Sequence, residues 1–274
     1  MQRFKAMGRL FKQTVDISIN RSGAGRSLTI FPDDIFIVSY PRSGNTWTRF
    51  LIGNLLFQEE SMTFSNIENK VPDIYQNHDY QLLKIPRRRC LKSHEYFDPR
   101  YKTIIYIVRN PKDVVISYYY YCLKVKIFQE NYNIEQFITQ FITGELDTFG
   151  SWGENVGSWL GARENNQDFL LIRYEDLLSF PQQTLRKISL HLQIDCNENV
   201  INRALELSSF ERMQKLEKSQ AKSWKPLKNS RNDISFIRKG QQEGWREVLT
   251  EAQVAYIEKR WQPLMLKLDY LNDL

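Results

Sequence analysis

Cysteine, histidine and long apolar runs are scarce in this chain, and each shortage excludes a class of protein. The 274 residues include three cysteines and three histidines. Cys90, Cys122 and Cys196 lack the spacing of disulfide frameworks or metal sites, so we predict reduced thiols and no metal centre. No apolar run approaches the ~18 residues that a membrane helix needs. The sequence therefore predicts a soluble protein without a membrane span, which we expect in the cytoplasm.

The charge balance is modestly basic. The chain has 38 Lys and Arg against 32 Asp and Glu, a formal net charge of +6. This excess favours anionic ligands, but the two signs are too balanced for a dedicated nucleic-acid-binding protein. With 42% hydrophobic residues, a chain of this length can bury a large core. We predict one domain over residues 1–274, rather than two small ones, with residues 1–28 as an N-terminal extension.

The most informative segment is 35–48, IFIVSYPRSGNTWT. Its first four residues predict a strand buried on both faces, and from Thr46 apolar residues recur at helical spacing. A glycine turn between strand and helix directs backbone N–H groups to the helix N-terminus, where the helix dipole favours anions. Arg42, Ser43 and Asn45 add side-chain donors. This P-loop-like segment predicts a phosphate site, although it lacks the first glycine and the lysine of the G-x-x-x-x-G-K-[ST] loop.

A second anion site is predicted where residues 103–108, TIIYIV, are followed by Arg109. The run predicts another buried strand, and Pro111 suits the first turn of the helix that follows. Arg109 is then expected at the carboxyl end of a strand, where open α/β sheets bind ligands. Two strand-end anion sites in one sheet indicate a ligand with two separated phosphates.

Predicted strands and helices alternate along the chain. Residues 168–173, DFLLIR, predict a third buried strand, and the lysine-rich residues 215–235 predict a mobile loop. The predicted helices include 133–144, 151–163, 198–207 and a long helix from Thr250. The alternation predicts a single α/β domain with a central parallel β-sheet flanked by helices.

Four segments together resemble, in order and spacing, the signature segments of the cytosolic sulfotransferases. They are YPRSGNTW at 40–47, LKSHEYFDPRYK at 91–102, IVRNPKDVVISYYYY at 107–121 and FIRKGQQEGW at 236–245. The resemblance extends from about Ile35 to Trp261. It implies a co-substrate, 3′-phosphoadenosine 5′-phosphosulfate (PAPS), and a product, adenosine 3′,5′-bisphosphate (PAP). It also implies a small alcohol or phenol, or less favourably an amine, as the sulfonate acceptor.

The resemblance assigns roles residue by residue. The family's 5′-phosphosulfate loop matches Arg42, Ser43, Gly44, Asn45 and Thr46, and its adenine-stacking tryptophan matches Trp47. The ligands of the 3′-phosphate match Arg109, Ser117, Arg238, Lys239 and Gly240. Further adenine contacts match Tyr174, Ser208, Phe210 and Phe236. The catalytic residues implied are His94 as the base, with Lys92 and Arg42.

The chain departs from the family pattern at several positions. Arg42 stands where familiar cytosolic members have lysine; an arginine stays protonated, and its planar fork suits the oxygens of a phosphosulfate. Asn45 replaces a usual threonine. A short dimerisation motif of many animal members is degraded at Arg246, Thr250, Glu251 and Ala255, so the resemblance does not imply an oligomeric state.

Two other functions fit parts of the same pattern. A P-loop kinase or NTPase shares the strand-loop-helix phosphate site, and Glu175-Asp176 after the third strand imitates the acidic pair of such enzymes. The missing lysine argues against it. A non-catalytic nucleotide-binding protein is the third hypothesis, and the presence of His94 and Lys92 argues against that one.

Overall fold

The computed structural model describes residues 23–238 and 240–271. A four-stranded parallel sheet lies at its centre, with strand order β2-β1-β3-β4. The strands are β1 (Ile35–Ser39), β2 (Cys90–Ser93), β3 (Thr103–Val108) and β4 (Phe169–Arg173). Because β1 and β3 are direct neighbours, the segments that follow them leave the same edge of the sheet. The predicted α/β class and parallel sheet are confirmed.

Eleven α-helices surround the sheet in the described part of the chain. Three of the predicted helices begin and end within one residue of the predicted bounds. The helices are α1 (Asn45–Leu56), α2 (Ile67–Lys70), α3 (Asp79–Leu82), α4 (Pro111–Lys124), α5 (Ile134–Thr143), α6 (Trp152–Arg163), α7 (Tyr174–Ser179), α8 (Pro181–His191), α9 (Glu198–Leu207), α10 (Phe210–Gln220) and α11 (Glu251–Lys267). Short 3₁₀ turns lie at Gly25–Ser27, Lys225–Leu227 and Gly244–Glu247.

Both faces of the sheet are buried, and alternate residues of each strand serve one face. Phe36 and Tyr106 point into a cluster with α4, α5, α6 and α11. Ile37 and Ile105 point into a second cluster with α1, α8 and α9. Burial on two faces explains why the strand sequences are continuously apolar. The sheet is therefore a rigid base from which the following loops project.

The lysine-rich segment 215–235 is more ordered than predicted, and the mobile-loop prediction is wrong for much of it. Its first residues continue α10, and Trp224 and Leu227 are buried. The lysines lie on the solvent side, while the few apolar residues anchor the segment to the core. That anchoring depends on tertiary contacts, which composition alone does not indicate.

The ends of the chain are described only in part. Residues 1–22 of the predicted N-terminal extension lie outside the described residues, while Ala24 and Leu28 are buried in the core. Lys239 and residues 272–274 are also outside. No helix within the described ranges combines the length and the apolar character needed to cross a membrane.

Candidate active site

The loop between β1 and α1 turns tightly enough to present the N-terminus of α1 to a cavity. Gly44, the residue before the helix, has φ of 100°, and a Cβ there would lie 2.5 Å from a ring carbon of Tyr174. Arg42 also has a positive φ, of 68°. At position 44, only glycine adopts this backbone conformation without strain. The turn therefore directs the free N–H groups of the first helical residues toward the cavity, as an anion site requires.

One cavity of about 420 Å³ lies beyond the carboxyl ends of the strands. It brings together most of the residues singled out in the sequence, from all four signature segments. Those on its wall are Arg42, Gly44, Asn45, Thr46, Trp47, Lys92, His94, Arg109, Ser117, Tyr174, Phe210, Phe236, Arg238 and Gly240. Ser43 and Ser208 are fully buried behind the wall, and Lys239 lies outside the described residues.

Arg42 is held in place from several sides. Its Nε donates to Ser117 Oγ at 3.3 Å, and its Nη2 donates to the carbonyl of Phe236 at 3.2 Å. The guanidinium carbon lies 4.7 Å from the ring centre of Tyr121 and 4.5 Å from that of Phe236. Burial lowers the pKa of Arg42 to about 10, so the side chain stays charged at neutral pH. The loop thus carries a fixed positive charge.

Arg109 and Arg238 supply further positive charge to the cavity. Arg109 donates to the carbonyls of Arg42 and Gln241 at 3.4 and 3.3 Å, and its Nε has no hydrogen-bond partner among the described residues. The Arg238 guanidinium carbon lies 4.7 Å from the ring centre of Tyr120, and burial lowers its pKa. Arg109 therefore retains an N–H group that a bound anion can use.

Aromatic rings line the cavity beside these cationic groups. Trp47 donates through Nε1 to the carbonyl of Ser208 at 2.9 Å and meets the ring of Tyr174 edge-on at 5.7 Å. The Ser208 hydroxyl accepts from Asn54, so this side chain serves the core. Phe210 lies so close to Gly240 that a Cβ there would lie 2.6 Å from the ring. These rings form an aromatic slot beside the cationic groups.

His94 directly follows β2 and has a defined tautomer. Its Nδ1 lies 2.7 Å from the carbonyl oxygen of Ser39. Because a carbonyl can only accept, Nδ1 carries the hydrogen, and Nε2 is unprotonated in the neutral ring. Burial, assisted by the charge of Lys92, holds the pKa of His94 well below its usual range. The imidazole is therefore neutral at pH 7 and able to accept a proton.

Lys92 forms a buried ion pair that the sequence did not indicate. Its Nζ lies 2.8 Å from Asp73 Oδ2, and each side chain is 9% exposed. Burial lowers the pKa of Lys92, while the Asp73 carboxylate opposes that shift. Asp73 lies in a segment without clean periodicity, and an isolated parallel bridge to Lys92 places it beside the sheet.

Comparison with known proteins agrees with this geometry. The profile of the sulfotransferase domain matches residues 32–269. The chain belongs to the sulfotransferase domain family. It is 31% identical over 244 residues to Sulfotransferase 1 family member D1 of Mus musculus, covering 83% of this chain and 82% of that protein. It is 30% identical over 244 residues to a 3-beta-hydroxysteroid sulfotransferase of Cavia porcellus, covering 85% and 84%.

Solved structures show the same fold. The mouse sulfotransferase SULT7A1 with PAP is 27% identical, with a TM-score of 0.72 over 90% of this sulfotransferase and 88% of that chain. Retinol dehydratase in complex with retinol and PAP, at 21% identity, has a TM-score of 0.76 over 92% and 86%. This second likeness supports the fold alone.

Family membership decides between the functions considered above. The chain is an enzyme of sulfonate transfer, and no finding favours the kinase or NTPase alternative. The acidic pair that imitated a kinase site also has a local explanation at Glu175. This buried carboxylate accepts the backbone N–H of Asn110 and the hydroxyl of Tyr270, each at 3.0 Å. Glu175 therefore links β3, α7 and the C-terminal segment.

Proposed function

We propose that this sulfotransferase moves a sulfonate group from PAPS to the hydroxyl group of a small acceptor and releases PAP. The observation that carries the proposal is that Arg42, Arg109 and His94 all line the cavity described above. The transfer requires a base and cationic groups for the anions of the donor. A hydroxyl acceptor is favoured over an amine, and a cytoplasmic location stays a prediction.

The residues at the donor end fit a nucleotide with two anionic groups. Arg109 Nε and the buried Ser43 hydroxyl have no partner among the described residues, and buried polar groups of this kind are normally satisfied. We assign the 3′-phosphate to Arg109, Ser117 and Arg238. We assign the 5′-phosphosulfate to the 42–46 loop. The adenine ring is assigned to the slot made by Trp47, Tyr174 and Phe210, with Phe236 beside it.

The chain's own groups then have distinct tasks. PAPS supplies an activated sulfonate with a good leaving group. The bond from sulfur to the acceptor oxygen forms as the bond from sulfur to the phosphate oxygen breaks, and His94 Nε2 takes the acceptor's proton. Arg42 stabilises the negative charge that grows on the phosphate oxygen. Lys92, held by Asp73, keeps a positive charge beside the acceptor oxygen.

The acceptor end combines aromatic rings with a few polar groups. Tyr118, Tyr121 and Phe149 line it, together with Gln76 and the ion pair described above. Rings of this kind suit a flat or aliphatic small molecule, while the polar groups orient its hydroxyl. The acceptor class proposed is therefore a small alcohol or phenol.

Sulfur-labelled PAPS incubated with pooled hydroxyl compounds tests the proposal. We expect labelled product and PAP in equal amounts. The parallel reaction with ATP labelled in its γ-phosphate should give no labelled acceptor. Transfer from ATP, with none from PAPS across the pools, would overturn the proposal.

A further inference from the structure

A second buried ion pair lies behind the cavity wall and has no role in the chemistry above. Lys124, the last residue of α4, has its Nζ 3.3 Å from Glu217 Oε1 on α10, with side chains 4% and 10% exposed. Neither residue lines the cavity. Lysine and glutamate are rarely buried to this degree unless their hydrogen-bonding groups are satisfied. The partners of the two side chains therefore indicate what the pair does.

The partners of Lys124 are mainly backbone carbonyls of one irregular segment. Its Nζ donates to the carbonyl of Ile234 at 2.6 Å and to that of Arg231 at 3.1 Å. The carbonyl of Lys124 in turn accepts the N–H of Arg231 at 2.8 Å. Glu217 Oε1 lies 3.3 Å from the same ammonium group as its ion-pair partner. The end of α4 therefore holds the first half of the segment 231–238, which we name the donor segment.

Glu217 holds the second half of the donor segment. Its two carboxylate oxygens accept the backbone N–H groups of Phe236, at 2.6 Å, and Ile237, at 2.8 Å. Gln214, one turn earlier on α10, donates to the carbonyl of Ile237 at 3.1 Å. Hydrogen bonds to a charged acceptor are about twice as strong as neutral ones. These contacts replace the regular secondary structure that the segment lacks.

The donor segment ends in the proposed PAPS site. The carbonyl of Phe236 accepts from Arg42 Nη2 at 3.2 Å, and its ring packs on the same guanidinium. Arg238 follows one residue after Ile237 and lines the cavity. A shift of the segment would therefore move two of the cationic groups assigned to the donor.

We infer that Lys124 and Glu217 are positioning residues, which hold the donor segment in the conformation that binds PAPS. This inference rests on the proposed function, because it takes the cavity to be a donor site. A protein whose binding-competent state is only partly populated binds its ligand more weakly by that fraction. Loss of the pair should therefore weaken donor binding without touching the acceptor or the base.

Three variants test the inference: Lys124→Met, Glu217→Gln and the double variant. PAP and AMP affinities are measured by calorimetry and stability by thermal unfolding. In each single variant we expect PAP affinity to fall about tenfold. A fall of this size corresponds to a donor segment that adopts its binding-competent conformation in about one-tenth of the molecules. AMP affinity should fall less, because AMP lacks the 3′-phosphate assigned to Arg238. The controls are Lys218→Met and Glu206→Gln, matched changes at exposed positions on α10 and α9.

The double variant separates positioning from stability. It removes both charges, so it should regain part of the stability that each single variant loses to an unpaired buried charge. Its PAP affinity should stay low, because the backbone of the donor segment still lacks the hydrogen bonds of the two charged side chains. An unchanged ratio of PAP to AMP affinity, or PAP affinity that recovers together with stability, would overturn the inference.

Hydrogen exchange on the wild-type protein gives a test that needs no variant. The amides of Phe236 and Ile237 should exchange slowly without ligand, because Glu217 accepts both N–H groups. Exchange as fast as in exposed loops would refute the inference. This readout also separates the two proposals. If exchange is slow but the protein binds PAP no better than AMP, the proposal that PAPS is the donor is contradicted. The role of Lys124 and Glu217 in holding the segment then stands.

Discussion

Removal of the proposed base is the sharpest perturbation of the chemistry. His94→Ala should fold, keep its affinity for PAP and lose about 10²–10⁴ in kcat, the usual contribution of a general base. The reason lies in the bond from Nδ1 to Ser39, which leaves Nε2 as the free acceptor of a neutral ring. Of the residues of segment 91–102 that line the cavity, only His94 can take a proton near neutral pH, since Lys92 is paired with Asp73.

The pH dependence gives an independent check on this assignment. Burial and the charge of Lys92 hold the pKa of His94 below its ordinary value of about 6.5. The base is active when neutral, so activity is kept as the pH falls through 6.5 and is lost only at lower pH. A wild-type kcat/KM profile whose acidic limb lies at or above pH 6.5, attributable to His94, would contradict this reasoning.

A matched control is available in the same chain. His191 also bonds a backbone carbonyl, that of Ile104 at 3.1 Å, but lies outside the cavity. The assay should use an aliphatic alcohol as acceptor, because an acidic phenol can lose its proton unaided. His191→Ala should keep wild-type kcat. A His94→Ala enzyme with near wild-type kcat would refute the role of the imidazole.

Three further predictions concern charge, backbone and a buried acid. Arg42→Lys should keep measurable turnover and Arg42→Ala should lose on the order of 10²–10³ in kcat, more than it loses in donor affinity, as steady-state kinetics and calorimetry would show. Gly44→Ala should weaken PAP binding, because the added Cβ meets Tyr174 at a strained φ; unchanged affinity would contradict the tight-turn argument. Burial raises the pKa of Asp147 to about 6, so the folded state binds this proton more tightly and stability is lost as the pH rises from 4 through 6. Asp147→Asn keeps one acceptor oxygen for Tyr118, loses the acceptor for the N–H of Phe149 and no longer titrates, so its stability should not fall between pH 4 and 6 as that of the wild type does; an equal pH dependence of the two unfolding curves would refute this.

The sheet and the donor end of the site could be predicted because their signals are local. Strands buried on both faces must be continuously apolar, and the residues that follow parallel strands emerge at one edge. Arg42 and Arg109 therefore converge because β1 and β3 are neighbours. The family resemblance added His94 and Arg238, which no periodicity indicates.

The remaining parts of the site depend on contacts between distant segments. Asp73 and Glu217 are charged residues in polar stretches, where exposure is the ordinary expectation. Their burial follows from Lys92 and Lys124, their partners on β2 and α4. The same long-range pairing orders the segment after α10 that the lysine content marked as mobile.

Calorimetric comparison of PAP and AMP tests the central claim most directly, because the two nucleotides differ only in the 3′-phosphate. The wild-type protein should bind PAP more tightly than AMP by about 1.5–3 kcal/mol for each charge-assisted contact to the 3′-phosphate. Arg109→Ala should weaken the binding of PAP and leave the binding of AMP nearly unchanged. Equal affinities of the wild-type protein for PAP and AMP would contradict the assignment of the cavity to PAPS.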